Sequence, residues 1–205
     1  MILFPGGSSV GRILPKEAFY KQLNLSTEMK NSFVSDIKRI VIENSLTEQS
    51  LHLKPGTEVI EVIVLSIELK KKDFENRILE TIARQNKHKI LFWLRFEDQN
   101  QLALYFNKLY KTDWHFENAL HLETKGFTLD EVWNGYIEQI ALIKEPKLMV
   151  KETSLTYRVK RQEEYLKLEK SIDQLDKTAR AEKQPKKKFE LAMQVQQLKK
   201  DLENL

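Results

Sequence analysis

The sequence contains no cysteine, and this absence excludes disulfide bonds, zinc–thiolate sites and cysteine nucleophiles. Its apolar runs are short: Val62–Leu65 has four residues, whereas a membrane-spanning helix needs about 20 in a row. The opening residues, MILF followed by Pro5-Gly6-Gly7, do not supply the longer apolar core of a secretory signal. We therefore expect a cytoplasmic protein that does not enter a membrane.

Positive charge is concentrated in the last quarter of the chain. The sequence has 34 Lys and Arg and 30 Asp and Glu, of which 14 basic and 10 acidic residues lie in 151–205. Residues 1–150 therefore hold 20 of each sign, and the whole excess of +4 belongs to the C-terminal segment. We expect any anionic partner to bind there.

Residues 1–150 alternate between helical and strand patterns. Met29, Phe33, Ile37 and Ile40 recur at helical spacing, which predicts a helix from Met29 to about Asn44. Thr128 and Glu131 form a capping-box pattern at the start of a later helix. Further helices are predicted over residues 15–23 and from 73 onward, and strands over 59–69, 90–96 and 102–106. Together these elements predict an α/β domain in which helices cover a small mixed or antiparallel sheet.

Residues 151–205 carry two apolar seams at heptad spacing, which is typical of a coiled coil. The first seam consists of Tyr165, Leu168, Ile172, Leu175 and Ala179. The second consists of Leu191, Val195, Leu198, Leu202 and Leu205. Extending the first seam leads to Phe189 and Met193 instead of Leu191 and Val195, so the two seams are out of phase.

Pro185 lies between the seams, and proline inside a helix costs about 3 kcal/mol. Because one straight helix cannot use both seams, we predict a second domain, residues 151–205, that is an antiparallel helical hairpin. The break falls at Gln184-Pro185, with proline in the first turn of the returning helix. The alternative is one long kinked helix that pairs with another chain.

Several stretches in order along the chain resemble the bacterial and archaeal family called domain of unknown function 4391. The stretches that carry the resemblance are Leu14-Pro15-Lys16-Glu17-Ala18-Phe19-Tyr20, Leu23-Asn24-Leu25-Ser26, Ile67-Glu68-Leu69-Lys70-Lys71, Tyr110-Lys111-Thr112-Asp113-Trp114, Glu182-Lys183-Gln184 and Lys188-Phe189-Glu190-Leu191. Family members commonly have an aromatic residue and asparagine after the Lys-Gln pair, whereas this chain has Pro185-Lys186. The departure favours a break at this point and weakens any transfer of a family function to the tip.

The resemblance implies a setting and no chemical activity. Such proteins look like accessory components encoded beside helicases and DNA methyltransferases, in restriction-like or phage-defence gene clusters. We therefore expect a non-catalytic interaction subunit that docks through its helical arm onto a helicase or methyltransferase-type subunit, or self-associates through the coiled coil. We expect no cofactor and no metal.

Glu68 and Lys70 are the candidates for an enzymatic alternative, a metal-dependent nuclease of the restriction-endonuclease type. In such enzymes a strand carries Glu-x-Lys so that both side chains leave one face. The carboxylate binds a divalent metal and the lysine orients the attacking water. An upstream aspartate normally completes the site, yet none lies between Asp36 and Glu68. Solvated residues at a strand end are the favoured interpretation.

Aromatic and basic residues also alternate between Tyr105 and His115. Such a surface can stack unpaired bases while its lysines meet phosphates, but core aromatics with outward-pointing lysines are more common. The four histidines lack the spacing of metal ligands on a helix. His115, His121 and Glu117 could converge on a metal, and separate surface positions are the favoured interpretation.

The basic residues around the break are the candidate nucleic-acid contacts. Residues 177–188 hold six basic side chains and one acidic one, Glu182. In a hairpin, Lys183, Lys186, Lys187 and Lys188 cluster at the tip, where phosphate contacts would make binding strongly salt-dependent. A nucleic-acid-binding tip is therefore the alternative function, and a solvated turn is the structural explanation of the same charges.

Overall fold

The computed structural model describes residues 4–23, 25–54, 56–116, 119–142 and 154–203. It divides into two compact units, Met1–Ile143 and Lys144–Leu205. The domain boundary predicted after residue 150 lies among residues 143–153, outside the described part.

The first unit is built on a mixed sheet covered by helices, as predicted. Its strands are β1 Ser9–Leu14, β2 Ile37–Thr47, β3 Glu61–Leu69, β4 Lys89–Phe96, β5 Gln99–Phe106, β6 Lys108–Lys111 and β7 His115–Phe116. Its helices are α1 Lys16–Gln22, α2 Thr27–Asp36, α3 Glu48–Leu51, α4 Arg77–Gln85 and α5 Leu129–Ala141. The second unit contains α6 Leu155–Ala181 and α7 Pro185–Glu203.

The strand order is β1-β2-β3-β4-β5-β6, and β7 also pairs with β5. Among the described strands, only β3 and β4 pair in parallel, because α4 connects them as a crossover, and the other pairs are antiparallel. The predicted strands are present, and β4 and β5 form the predicted hairpin. The helix predicted from Asp73 begins instead at Arg77.

The helix predicted from Met29 to Asn44 is wrong in its second half. The helix ends at Asp36, and β2 begins at Ile37. The register between β2 and β3 shifts between Ile37 and Arg39, so one residue is extra on the β2 side. Ile37 and Ile40 therefore both face the core although they are three residues apart, which imitates helical spacing.

One face of the sheet packs beneath α2 and α4. Alternation along β3 turns Ile67 and Leu69 towards this layer and Glu68 away from it. The fully buried members of this cluster are Phe33, Ile37, Ile40, Ile67, Ile78, Leu79, Phe92, Leu94 and Ala103.

The amino-terminal end of α5 is anchored to the loop that leads into β3. Thr128 Oγ1 accepts the backbone N–H of Glu131, as the capping box predicts, while the Glu131 carboxylate accepts from the N–H of Phe127. Asp130 accepts three backbone N–H groups, from Thr57 (2.5 Å), Glu58 (3.1 Å) and Val59 (2.7 Å). The hydrogen bonds, that of Thr57 first, hold the pKa of Asp130 below its ordinary value. One carboxylate therefore connects α5 to the sheet.

The second unit is the predicted helical hairpin. α6 ends at Ala181 and α7 begins at Pro185, and the two helices pack together. Between them, the Glu182 carboxylate accepts the backbone N–H of Gln184 at 2.9 Å. Pro185 is the first residue of its helix, where the missing N–H costs no intrahelical hydrogen bond.

The two seams lie on the more buried sides of their helices, with Ala179 and Val195 the most buried members. Phe189 and Met193, which continue the phase of the first seam, are 66% and 52% exposed. The seams are therefore offset as the sequence predicts; Leu205 lies outside the described residues. No helix in the described part of the chain has the length and apolar content to cross a bilayer.

We predict that Asp130→Ala lowers the free energy of unfolding by about 2 kcal/mol, because three backbone N–H groups lose a charged acceptor. Urea unfolding followed by circular dichroism measures the change. Thr57→Val is the matched control, since it removes only the hydroxyl donor to Asp130 and leaves the backbone bond. Equal losses in the two variants would show that the carboxylate does not anchor the helix.

Candidate functional site

Glu68 and Lys70, the nuclease candidates, lie at the carboxyl end of β3. Glu68 accepts a hydrogen bond from Lys38 Nζ at 2.6 Å and lies 3.3 Å from Arg39 Nε. The hydrogen bond from Lys38 is the largest influence on the pKa of Glu68, and it holds that pKa below its ordinary value. The carboxylate is therefore neutralised by two cations of the neighbouring strand.

Among the described residues, Lys70 binds a backbone carbonyl group and not a carboxylate. Its Nζ donates to the backbone carbonyl of Val34 at 2.9 Å, near the end of α2. Lys16 Nζ donates to the carbonyl of Ile37, the residue that follows this helix. Burial, followed by the charge of Lys70, lowers the pKa of Lys16. Two lysines thus satisfy carbonyl groups at a helix carboxyl terminus, where cations are favoured.

Asp36 is the nearest aspartate upstream of Glu68 along the sequence. It directly precedes β2, and because β2 and β3 are antiparallel it lies beside the end of β3. The backbone N–H of Lys70 donates to the Asp36 carbonyl at 2.7 Å. Asp36 and the segment from Glu68 to Lys70 therefore lie at the same end of the β2–β3 pair, although they are far apart along the sequence.

Asp36 is 2% exposed and its carboxylate is engaged by three groups. Ser35 Oγ donates at 2.5 Å, Lys71 Nζ lies at 2.9 Å, and the backbone N–H of Glu75 donates at 3.2 Å. Burial by itself would raise the pKa, but the hydrogen bonds from Ser35, Lys71 and Glu75 outweigh it and lower the pKa of Asp36. The carboxylate joins the α2–β2 junction to the segment before α4.

Asp36 and Glu68 serve different sides of the sheet. Asp36 bonds to the segment that leads into α4, whereas Glu68 points away from the helix-covered face and pairs with Lys38 and Arg39. The two carboxylates share no partner among these contacts. Among the described residues, no three histidine or acidic side chains come together in a way that could hold a metal ion.

The aromatic and basic stretch of β5 to β7 contributes Trp114 to the packing of the sheet. Trp114 packs against the core cluster, and Lys72 Nζ lies 5.7 Å from the centre of its ring. Lys111 Nζ lies 5.7 Å from the centre of the Phe74 ring and donates to Asn76. Burial lowers the pKa of Lys111. Lysine side chains thus lie beside the rings of Trp114 and Phe74.

The candidate metal ligands of the sequence do not form a recognisable group in the described chain. His115 belongs to β7, and His121 Nε2 lies 3.5 Å from Glu123 Oε1. Glu117 lies outside the described residues.

The hairpin tip carries the charge that sequence analysis assigned to it. Lys183, Lys186, Lys187 and Lys188 are all exposed, and none of the four forms an ion pair with a residue that the structure describes. Two further cations of the tip are neutralised: Lys177 pairs with Asp173 at 2.9 Å, and Arg180 pairs with Asp176 at 2.6 Å. The charge of Lys187 acts on Glu182, whose carboxylate is occupied by Gln184.

These features define a class of protein: an α/β domain with a mixed sheet, followed by a helical hairpin with a basic tip. The sequence matches the family described as "Domain of unknown function (DUF4391)" over residues 2–202, and the chain belongs to that family. No curated protein and no solved structure matches the chain.

We predict that Asp36→Asn lowers the free energy of unfolding at neutral pH by about 3 kcal/mol, since a buried carboxylate loses its ion pair. Because folding lowers the pKa of Asp36, its contribution is present above the ordinary pKa and is lost as pH falls through the folded value. The variant should therefore lose less stability than the natural chain on acidification.

Chemical unfolding at a series of pH values measures both effects. Asp113→Asn, at an exposed position, is the control and should change stability by less than about 0.5 kcal/mol. Parallel pH profiles for Asp36→Asn and the natural chain would contradict the role assigned to the carboxylate.

Proposed function

We propose that this chain is a non-catalytic interaction subunit of a bacterial DNA-acting system of the restriction-like or phage-defence type, and that it docks through its helical arm. The observation that supports the proposal is the distribution of apolar residues on the hairpin. The seams of α6 and α7 lie on the buried sides of the two helices, yet large apolar residues remain exposed elsewhere on the hairpin. The pair of helices is proposed to act as a coiled-coil arm whose outer surface is available to a partner.

The contact with a partner protein is proposed on the outer side of α6. Leu166 is 36% exposed there. With Ile172, a half-buried residue at the edge of the seam, it lines a shallow depression of about 370 Å³ that is bordered by Glu169, Lys170 and Asp173. An apolar floor with charged groups of both signs at its rim has the composition of a protein interface. The partner is proposed to be a helicase or methyltransferase-type subunit, and a second copy of the chain is the alternative occupant.

We predict that Leu166→Glu abolishes co-purification of this chain with such a subunit expressed from a neighbouring gene. A glutamate in the apolar floor of the depression would have to lose its hydration when the complex forms, so the loss should be complete at ordinary concentrations. Gln174→Glu, at an exposed position of the same helix, is the matched control and should leave the complex intact.

The measurement is the recovery of the partner with the tagged chain, together with the mass of each species by light scattering. Retention of the partner by Leu166→Glu would contradict docking at this depression. A dimer of the isolated chain that Leu166→Glu dissociates would identify a second copy as the occupant.

Nucleic-acid binding at the hairpin tip is the second candidate function, and one observation favours it. The four lysines at the tip are exposed and form no ion pair with the described residues, whereas Lys177 and Arg180 are each neutralised by an aspartate one turn earlier. A cluster of uncompensated cations is the electrostatic feature that attracts a phosphate backbone.

We predict that the full chain binds nucleic acid with an affinity that falls as salt rises, because bound lysines displace counterions. Each lysine that contacts a phosphate of a single strand contributes about 0.7 to the slope of log K against log salt. Reversing the charge of Lys183, Lys186, Lys187 and Lys188 together to Glu should abolish binding. Reversal of Lys199 and Lys200, which lie at the other end of α7, is the control, and an equal loss there would show that binding is not a property of the tip.

A further inference from the structure

Phe189 combines with the lysines of the hairpin tip into one exposed surface. It lies in the second turn of α7, two residues before the seam residue Leu191. Each residue turns an α-helix by about 100°, so Phe189 lies about 200° away from the seam, on the opposite side of the helix. Its 66% exposure agrees with that position.

The direction of the side chain brings Phe189 to the tip. Side chains of an α-helix lean towards its amino terminus and cover the preceding turn. The preceding turn of α7 begins with Pro185 and contains Lys186, three residues before Phe189 and on the same side. The aromatic ring therefore leans towards the end of the hairpin at which the lysines are exposed.

Phe189 has no part in joining the two helices, because the hairpin is joined through the seams. A single exposed aromatic residue is unremarkable by itself. Here it borders cations that form no ion pair with the described residues, and the one carboxylate of residues 177–188, that of Glu182, accepts a backbone N–H. An aromatic face beside uncompensated positive charge matches a ligand that has both flat rings and negative charge.

We propose that the hairpin tip binds single-stranded nucleic acid, with the ring of Phe189 stacked on an unpaired base and Lys183, Lys186 and Lys188 in contact with phosphates. The inference rests on nucleic-acid binding at the tip, the second candidate function. Single-stranded ligands are favoured because only unpaired bases expose their faces to an aromatic side chain. A duplex would engage the lysines alone.

The test compares two probes on the full chain at about 50 mM salt, where phosphate contacts are strong. One probe is a fluorescent thymidine oligonucleotide of about 16 nucleotides, the upper end of the site size of small single-strand-binding modules. The other is a fluorescent duplex of the same length. Fluorescence anisotropy gives both dissociation constants, and circular dichroism verifies that each variant keeps its helices.

Phe189→Leu is the informative variant, because leucine keeps the apolar character and removes the aromatic face. We expect it to weaken binding of the single strand about tenfold and to leave binding of the duplex unchanged. Met193→Leu, on the same side of α7 and 52% exposed, is the matched control and should change neither constant.

Three results would overturn the stacking contact. Unchanged single-strand binding by Phe189→Leu, with binding abolished by the four lysine reversals, would leave the tip as a purely electrostatic site. An equal loss on both probes would show that Phe189 does not contact a base. Absence of binding to either probe by the natural chain would overturn both this inference and the nucleic-acid function.

Discussion

The packing of α6 against α7 is the interaction on which both surfaces proposed to bind partners depend. Each helix turns its own seam inward, and the seams are offset by Pro185. The apolar residues at heptad spacing pack between the two helices. The residues that this packing leaves exposed include Leu166 on α6, Phe189 on α7 and the lysines of the tip. The residues proposed to contact partners are therefore those that the packing of the hairpin leaves exposed.

The junction between α2 and β2 plays a comparable part in the first unit. The carboxylate of Asp36, buried at this junction, is stabilised by hydrogen bonds and an ion pair, and the carbonyl groups nearby accept from Lys16 and Lys70. Lys70 is therefore bound to a backbone carbonyl group, and Glu68 is bound to Lys38 and Arg39. Charged residues that resemble a catalytic motif along the sequence therefore serve to join helix ends and strand ends.

Sequence patterns located β3, β4 and β5 but did not predict β1, β6 or β7, and they misjudged the segment after Met29. Its apolar spacing is helical, yet a bulge near Lys38 lets a strand present Ile37 and Ile40 on one face. The position of Asp36 was hidden for a related reason, since its nearness to Lys70 arises only when β2 pairs with β3. The spacing of apolar residues along the sequence indicates which residues are buried. Strand pairing determines whether the backbone buries them as a helix or as a strand.

The sequence alone determined the two out-of-phase seams and the break at Pro185, because heptad spacing, the phase difference and the position of a proline are all local properties of the chain, but it left a kinked helix open beside the hairpin until the packing of α6 against α7 decided between them. It also determined that positive charge gathers at the tip, since the charges and the turn are adjacent along the sequence. Only the tertiary structure decided which of those charges remain uncompensated, that Phe189 is exposed beside them, and that Asp36 reaches the end of β3. These features depend on side-chain partners and on long-range pairing, which the order of residues does not encode locally.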